Sequence, residues 1–122
     1  MLISYNEDYE KITMGLLSYI PDFKDPERLL EELSLYEDDP NRKIYLWQSE
    51  ETRNLIAVLG VEEEKDIVLL RHIAIDPSFR KEGLIYVLLD HLVEKIADKK
   101  IVGTLETASI ISKWQKNKNK EQ

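Results

Sequence analysis

The chain contains no cysteine, which excludes a disulfide framework, a thiolate metal site and a cysteine nucleophile. Glycine and proline occur only four times each, so no flexible or proline-rich linker divides the chain, and it shows no internal repeat. Two histidines and scattered carboxylates offer no metal-ligand spacing, and no metal is expected. No apolar run approaches the ~18 residues of a membrane span. Positive charge is in deficit: the net charge of −7 argues against nucleic acid as the main partner. The opening MLISYNEDYE has neither a basic leader nor an apolar h-region, which leads to the expectation of a cytoplasmic location.

What is present points to one folded unit. At 122 residues, with 43% hydrophobic and 34% charged side chains, the chain is long enough for a single core and too apolar to be disordered. Residues 1–66 carry 17 acidic and 7 basic side chains, whereas residues 67–122 carry 7 and 10. The halves are therefore expected to face different ligands. The run Glu62-Glu63-Glu64 reads as a solvated turn.

Patterning assigns the elements. Met1–Tyr5 reads as a short strand. Asn6 caps a helix whose first turn carries Glu7 and Asp8 and whose face is Tyr9, Ile12, Leu16, Tyr19 and Ile20, with Pro21 ending it. Asp25-Pro26 starts a second helix with Leu29, Leu30, Leu33 and Tyr36 on one face. Three strands follow at 44–48, 55–61 and 67–75, joined by short polar connections that suggest an antiparallel meander. Ile85, Leu88, Leu89, Leu92, Val93 and Ile96 then step by three and four, the signature of an amphipathic helix on a sheet. A fifth strand at 101–105 and a helix from Ala108 to about Gln115 complete the order β-α-α-β-β-β-α-β-α, a mixed α/β domain over 1–115 with a frayed lysine-rich tail at 116–122.

The chemistry concentrates in Leu70-Arg71-His72-Ile73-Ala74-Ile75-Asp76-Pro77-Ser78-Phe79-Arg80-Lys81-Glu82-Gly83-Leu84-Ile85, a strand passing through a tight loop into a helix. Backbone N–H groups of such a loop and of the first helical turn form an anion site, and glycine lets a ligand approach the backbone. Arg80-Lys81-Glu82-Gly83-Leu84-Ile85 resembles the acetyl-CoA-binding motif of the GNAT N-acetyltransferases: Arg or Gln, two free positions, Gly, one free position, then Gly or Ala. Ile85 stands at that last position. Ile73-Ala74-Ile75-Asp76-Pro77 resembles the end of the family's fourth strand, where a bulge splays the sheet and Ile73, Ala74 and Ile75 would pair with the pantetheine arm as an added strand. The opening LISYNEDYEKITMGLLSYIP and the pair Arg71-His72 look like the branch of the family encoded in riboflavin-biosynthesis operons.

The resemblance implies a GNAT-like acyl-CoA N-acyltransferase fold with a mixed central sheet, acetyl-CoA as the acyl donor, and direct attack by an amine, small or carried on a protein. Where the family often has an Asn and, seven residues on, a Tyr, this sequence has Leu105 and Ser112, and Ser112 is the candidate cofactor contact on the last helix. Acetyl transfer needs a neutral amine and hence a proton acceptor. Arg71, His72 and Glu106 are the candidate catalytic residues. Strand alternation would set Arg71 beside Leu69 and Ile73 and turn His72 to the other face, leaving His72 open as participant or core residue. Glu106 is open as a base or a solvated helix-start carboxylate. His91 is expected to be exposed, and Trp47 and Trp114 to be core or rim aromatics. The family's two further strands are absent, so the fifth strand is expected at a bare sheet edge and a homodimer is expected to cover it. A catalytically silent acyl-CoA-binding or interaction module with the same fold is the alternative.

Overall fold

The computed structural model describes residues 1–80 and 83–120. The elements run β1 (Leu2–Ser4), α1 (Glu10–Leu17), α2 (Pro26–Asp38), β2 (Arg42–Gln48), β3 (Leu55–Glu63), β4 (Ile67–Ile75), α3 (Leu84–Ile96), β5 (Lys100–Gly103) and α4 (Ala108–Lys120), the order expected from the patterning. They form a mixed five-stranded sheet in sequential order, antiparallel from β1 to β4, with β5 parallel to β4. None of the described helices is long and apolar enough to cross a membrane.

Alternation along the strands feeds two cores, one on each face of the sheet. Ile44, Leu46, Val58 and Ala74 pack beneath Leu16 and Leu17 of α1, Phe23, and Leu29, Leu33 and Tyr36 of α2. Tyr45, Trp47, Leu59, Val61, Val68 and Leu70 pack beneath Leu88, Leu89, Leu92 and Ile96 of α3 and Ile111 and Trp114 of α4. The result is a three-layer sandwich with a helix pair on either side. Leu88, Leu89 and Leu92 are fully buried, and burial of a leucine side chain contributes roughly 1.5–3 kcal/mol, so α3 anchors its layer. Asp25 caps α2 by accepting from the Glu27 N–H at 3.0 Å, and Asn6 accepts from the Asp8 N–H at 2.9 Å.

Three details depart from the sequence reading. The Asn6 cap opens a single 3-10 turn, Glu7–Tyr9, before α1 begins at Glu10. That tighter turn shifts the helical phase, so Thr13, Leu16 and Leu17 are buried while Ile12 and Tyr19 stay exposed. Second, α4 continues to Lys120, where the tail was expected to fray. Lys118 sits over the Trp114 ring at 4.9 Å and 3.5 Å from Asp90, and lysines in the last turn suit the negative helix end. Third, Glu62 and Glu63 belong to β3 and make ion pairs, so the acidic run is not a solvated turn.

Candidate active site

β4 and β5 are paired only from Ile67 opposite Lys100 to Leu70 opposite Gly103. Beyond that point β4 continues to Ile75 while the chain after Gly103 turns away into α4. Thr107 ends the ladder. Its buried hydroxyl donates to the Leu70 carbonyl at 2.6 Å and accepts from the Thr104 N–H at 3.0 Å, which satisfies both strand ends where they part. A side chain at Gly103 would come within 2.8 Å of the Ala108 backbone, so glycine is what lets α4 start against the strand. The parted strands open a cleft of about 510 Å³, roofed by the segment joining α1 to α2 and floored by β4.

The register of β3 against β4 moves from Gly60–His72 to Val61–Leu70, which leaves Arg71 as the extra residue of a β-bulge. A bulge breaks the strict alternation of side chains. Arg71 reaches Glu62 and His72 reaches Tyr36 and Glu32, so both side chains project toward the α2 layer. The expectation that they point to opposite faces is corrected here. The irregularity falls at Arg71, two residues before the expected start of the splayed segment.

Around these residues lies a chain of charged side chains. Arg71 Nε donates to Glu62 Oε1 at 2.6 Å; Glu62 lies 3.5 Å from Arg42 Nε; Arg42 Nη1 donates to Glu32 Oε1 at 3.1 Å; and Glu32 stands 3.8 Å from His72 Nε2. The hydrogen bond from Arg71 holds the Glu62 carboxyl below its ordinary range. Burial lowers the pKa of His72 below its ordinary 6.5, with Glu32 opposing and Arg71 and Arg42 reinforcing. The ring is therefore neutral at pH 7, packed against Phe23 with centroids 5.0 Å apart. Glu32, Arg42 and Thr107 had no distinguishing signal in the sequence, and Glu62 showed only within the acidic run Glu62-Glu63-Glu64. Tyr36 showed only as a helix-face residue.

The far end of the cleft holds the anion-site candidates. Ile73 and Ala74 line it, and Arg80 Nε donates to the Ile75 carbonyl at 3.3 Å, closing the end of β4. Gly83 caps α3 with φ of +87°, a left-handed conformation, and no other described residue lies within 4 Å of where its Cβ would be. The amides of Leu84 and Ile85 precede the first helical bonds, which run from Tyr86 and Val87 to the Gly83 carbonyl. The Leu84 and Ile85 side chains pack on the core beneath α3. Lys81 and Glu82 lie outside the described residues. Glu106 lines the cleft mouth, exposed, its carboxyl held below the ordinary range by hydrogen bonds from its own backbone and from Thr104. Ser112 is exposed on the outer face of α4 and does not line the cleft, where Thr107 and Ile110 stand instead. A helix of 3.6 residues per turn cannot bring Ser112 to the side that buries Ile111 and Trp114. Leu105 is 98% exposed. Trp47 and Trp114 are core residues, Trp114 donating to Asp90 at 2.9 Å, and His91 is half-buried against the Trp47 ring.

The sequence profile of the Acetyltransferase (GNAT) family matches residues 6–110. This chain belongs to the GNAT family. It is similar to an uncharacterized N-acetyltransferase in the lysA 3' region of Bacillus methanolicus, 38% identical over 116 residues that cover 94% of this chain and 95% of the relative. Among solved structures, the GNAT fold here is similar to the aminoglycoside N-acetyltransferase AAC(6')-Iy in complex with CoA: TM-score 0.67, 12% identity, 96% of this chain and 84% of that one. It is similar also to the ribosomal-protein-alanine N-acetyltransferase of Brucella melitensis biovar Abortus 2308: TM-score 0.65, 15% identity, 85% of this chain and 78% of that one. At these identities the likeness is one of fold.

Proposed function

We propose that this GNAT member is an N-acetyltransferase that uses acetyl-CoA and an amine acceptor. The observation that carries the reading is the edge of β4 beyond Leu70, which has no strand partner on its β5 side among the described residues and faces the cleft. An extended pantetheine arm fits such an edge as an added strand. Gly83, with no other described residue where a side chain would stand, the amides of Leu84 and Ile85, which have no partner among the described residues, and the Arg80 guanidinium fit a diphosphate. Bound there, acetyl-CoA supplies an activated acyl group: a nitrogen–carbon bond forms as the carbon–sulfur bond breaks, and the departing thiolate takes up a proton released by the attacking nitrogen. The chain's part is to hold the two partners in line and to accept the first proton from the acceptor's ammonium group. Arg71, His72 and Glu106 border the acceptor side, together with Glu32. The acidic N-terminal half favours a cationic acceptor by steering. The opening segment and the Arg71-His72 pair support the branch of the family encoded in riboflavin-biosynthesis operons. The outer edge of β5 pairs with no strand among the described residues and supports a homodimer. A single monomeric mass in light scattering over a wide concentration range would remove the dimer.

Calorimetric titration with acetyl-CoA and CoA tests the cofactor reading. Both are expected to bind. Gly83→Val sets a branched side chain over the amides where the diphosphate would lie and is expected to weaken both, while the ~1–2 kcal/mol by which a side chain disfavours a left-handed backbone is expected as lost stability. Unchanged affinity in that variant would move the diphosphate elsewhere. In protein shown to bind acetyl-CoA, thiol release at the solvent background across polyamines, aminoglycosides and peptide amines would leave a silent acyl-CoA-binding module.

A further inference from the structure

We infer that Tyr36 is a positioning residue that holds neutral His72 with its proton on Nε2, so that the ring offers the cleft an N–H donor and Glu32 is the proton acceptor. The consequence for catalysis rests on the proposed acetyl transfer. The tautomer does not rest on it: it rests on the contacts of the ring, with burial keeping Tyr36 and His72 uncharged.

The Tyr36 hydroxyl lies 2.5 Å from His72 Nδ1, the one hydrogen-bond partner of that hydroxyl among the described residues. Tyr36 is 6% exposed, and burial raises its pKa far above the physiological range, so it keeps its proton. A buried hydroxyl proton requires an acceptor, and here it is Nδ1. A nitrogen that accepts from Tyr36 carries no proton of its own, which leaves the proton of the neutral ring on Nε2. That nitrogen faces Glu32 Oε1 at 3.8 Å, a gap closed by a small side-chain movement. The opposite tautomer would strand the tyrosine proton and turn the Nε2 lone pair toward a carboxylate.

The surroundings enforce the pairing. A Cβ at Gly60 would overlap the Tyr36 hydroxyl, so glycine in mid-strand is what lets the ring reach His72. Phe23 packs the other side of the imidazole. The charged groups that act on the ring are Glu32 from α2, Arg42 from β2, Arg71 from β4, and Glu106 before α4. Burial outweighs the two carboxylates, and the ring stays neutral at pH 7. A neutral imidazole whose free nitrogen is tied to Tyr36 cannot take a proton from the acceptor. The ammonium proton passes to the Glu32 carboxylate, directly or through water, leaving a neutral amine, and is later released to solvent.

Long-range proton–nitrogen NMR of the intact, uniformly labelled protein at pH 7 to 8 reads the tautomer directly, with His91 as the one other histidine. His72 is expected to show an unprotonated Nδ1 and a protonated Nε2. Tyr36→Phe removes the donor that favours the neutral ring, so the His72 pKa is expected to rise and an Nδ1–H population to appear. Gly60→Ala displaces the hydroxyl without deleting it and is expected to act in the same direction. A protonated Nδ1 in the unmodified protein, or a Tyr36→Phe variant with tautomer and pKa unchanged, overturns the inference. If neither variant folds, the unmodified spectrum decides by itself. No acetylation enters the readout, so failure here is separable from failure of the proposed activity.

Discussion

Glu32→Gln is expected to lower kcat by about 10²- to 10⁴-fold, the usual loss on removing one general acid–base group, while acetyl-CoA affinity stays unchanged. The amide keeps the size of the side chain and can still accept from Arg42, which retains Glu62 at 3.5 Å, so the charged chain persists without its proton acceptor. His72→Gln is the comparison. Its amide still offers an N–H to the cleft, and exchanging one neutral donor for another is worth up to about 1.4 kcal/mol, or about tenfold. Steady-state kinetics with an accepted amine, beside calorimetry for acetyl-CoA, separates the two variants. Equal losses in both, with cofactor binding intact, would return the role of base to His72.

Glu62→Ala is expected to destabilise the protein by about 3 kcal/mol, at the low end for breaking a buried ion pair because the pair keeps some contact with water. Glu62 sits between two guanidinium groups, 2.6 Å from Arg71 and 3.5 Å from Arg42, with its side chain 17% exposed. Removal leaves Arg71 with no ion-pair partner among the described residues and Arg42 with Glu32 and Asp39. The same side chain gives the stability a pH dependence. Its folded pKa is depressed below 4.5, so its contribution is present above that value and is lost as pH falls through the folded one. His72 acts in the same direction at higher pH. Its folded pKa lies below 6.5, the unfolded chain binds the proton more readily, and stability declines as pH falls below 6.5. Urea unfolding carried from pH 7 to well below pH 4.5 is expected to show both declines, with the gap between Glu62→Ala and the unmodified protein narrowing only below pH 4.5. A gap independent of pH would contradict the role given to Glu62.

Much of the fold was legible because its signals are local. Asp25-Pro26 caps a helix by chemistry contained within four residues. The three-and-four spacing from Leu88 to Ile96 marks a buried helical face wherever that helix packs. Gly83 was singled out only as a glycine that lets a ligand approach the backbone, and the structure adds that it takes the left-handed conformation at the start of α3. Ser112 was assigned by counting seven residues from a position in the family, and only the structure shows that it stands exposed on α4, away from the cleft lining.

Composition and periodicity by themselves determined the element order and the apolar faces of the helices, because each depends on neighbours within a turn or a strand. Only the tertiary structure decided which side chains meet. The bulge at Arg71 puts two consecutive residues on the same side, the parting of β4 from β5 depends on Thr107 reaching a carbonyl 37 positions away, and Gly60 admits a tyrosine from another layer. Glu32, Tyr36, Arg42 and Glu62 come from three elements and carry no local pattern. Their charges become a site because folding brings them together at low water content, where a hydrogen-bond partner fixes a proton that bulk solvent would leave free to exchange.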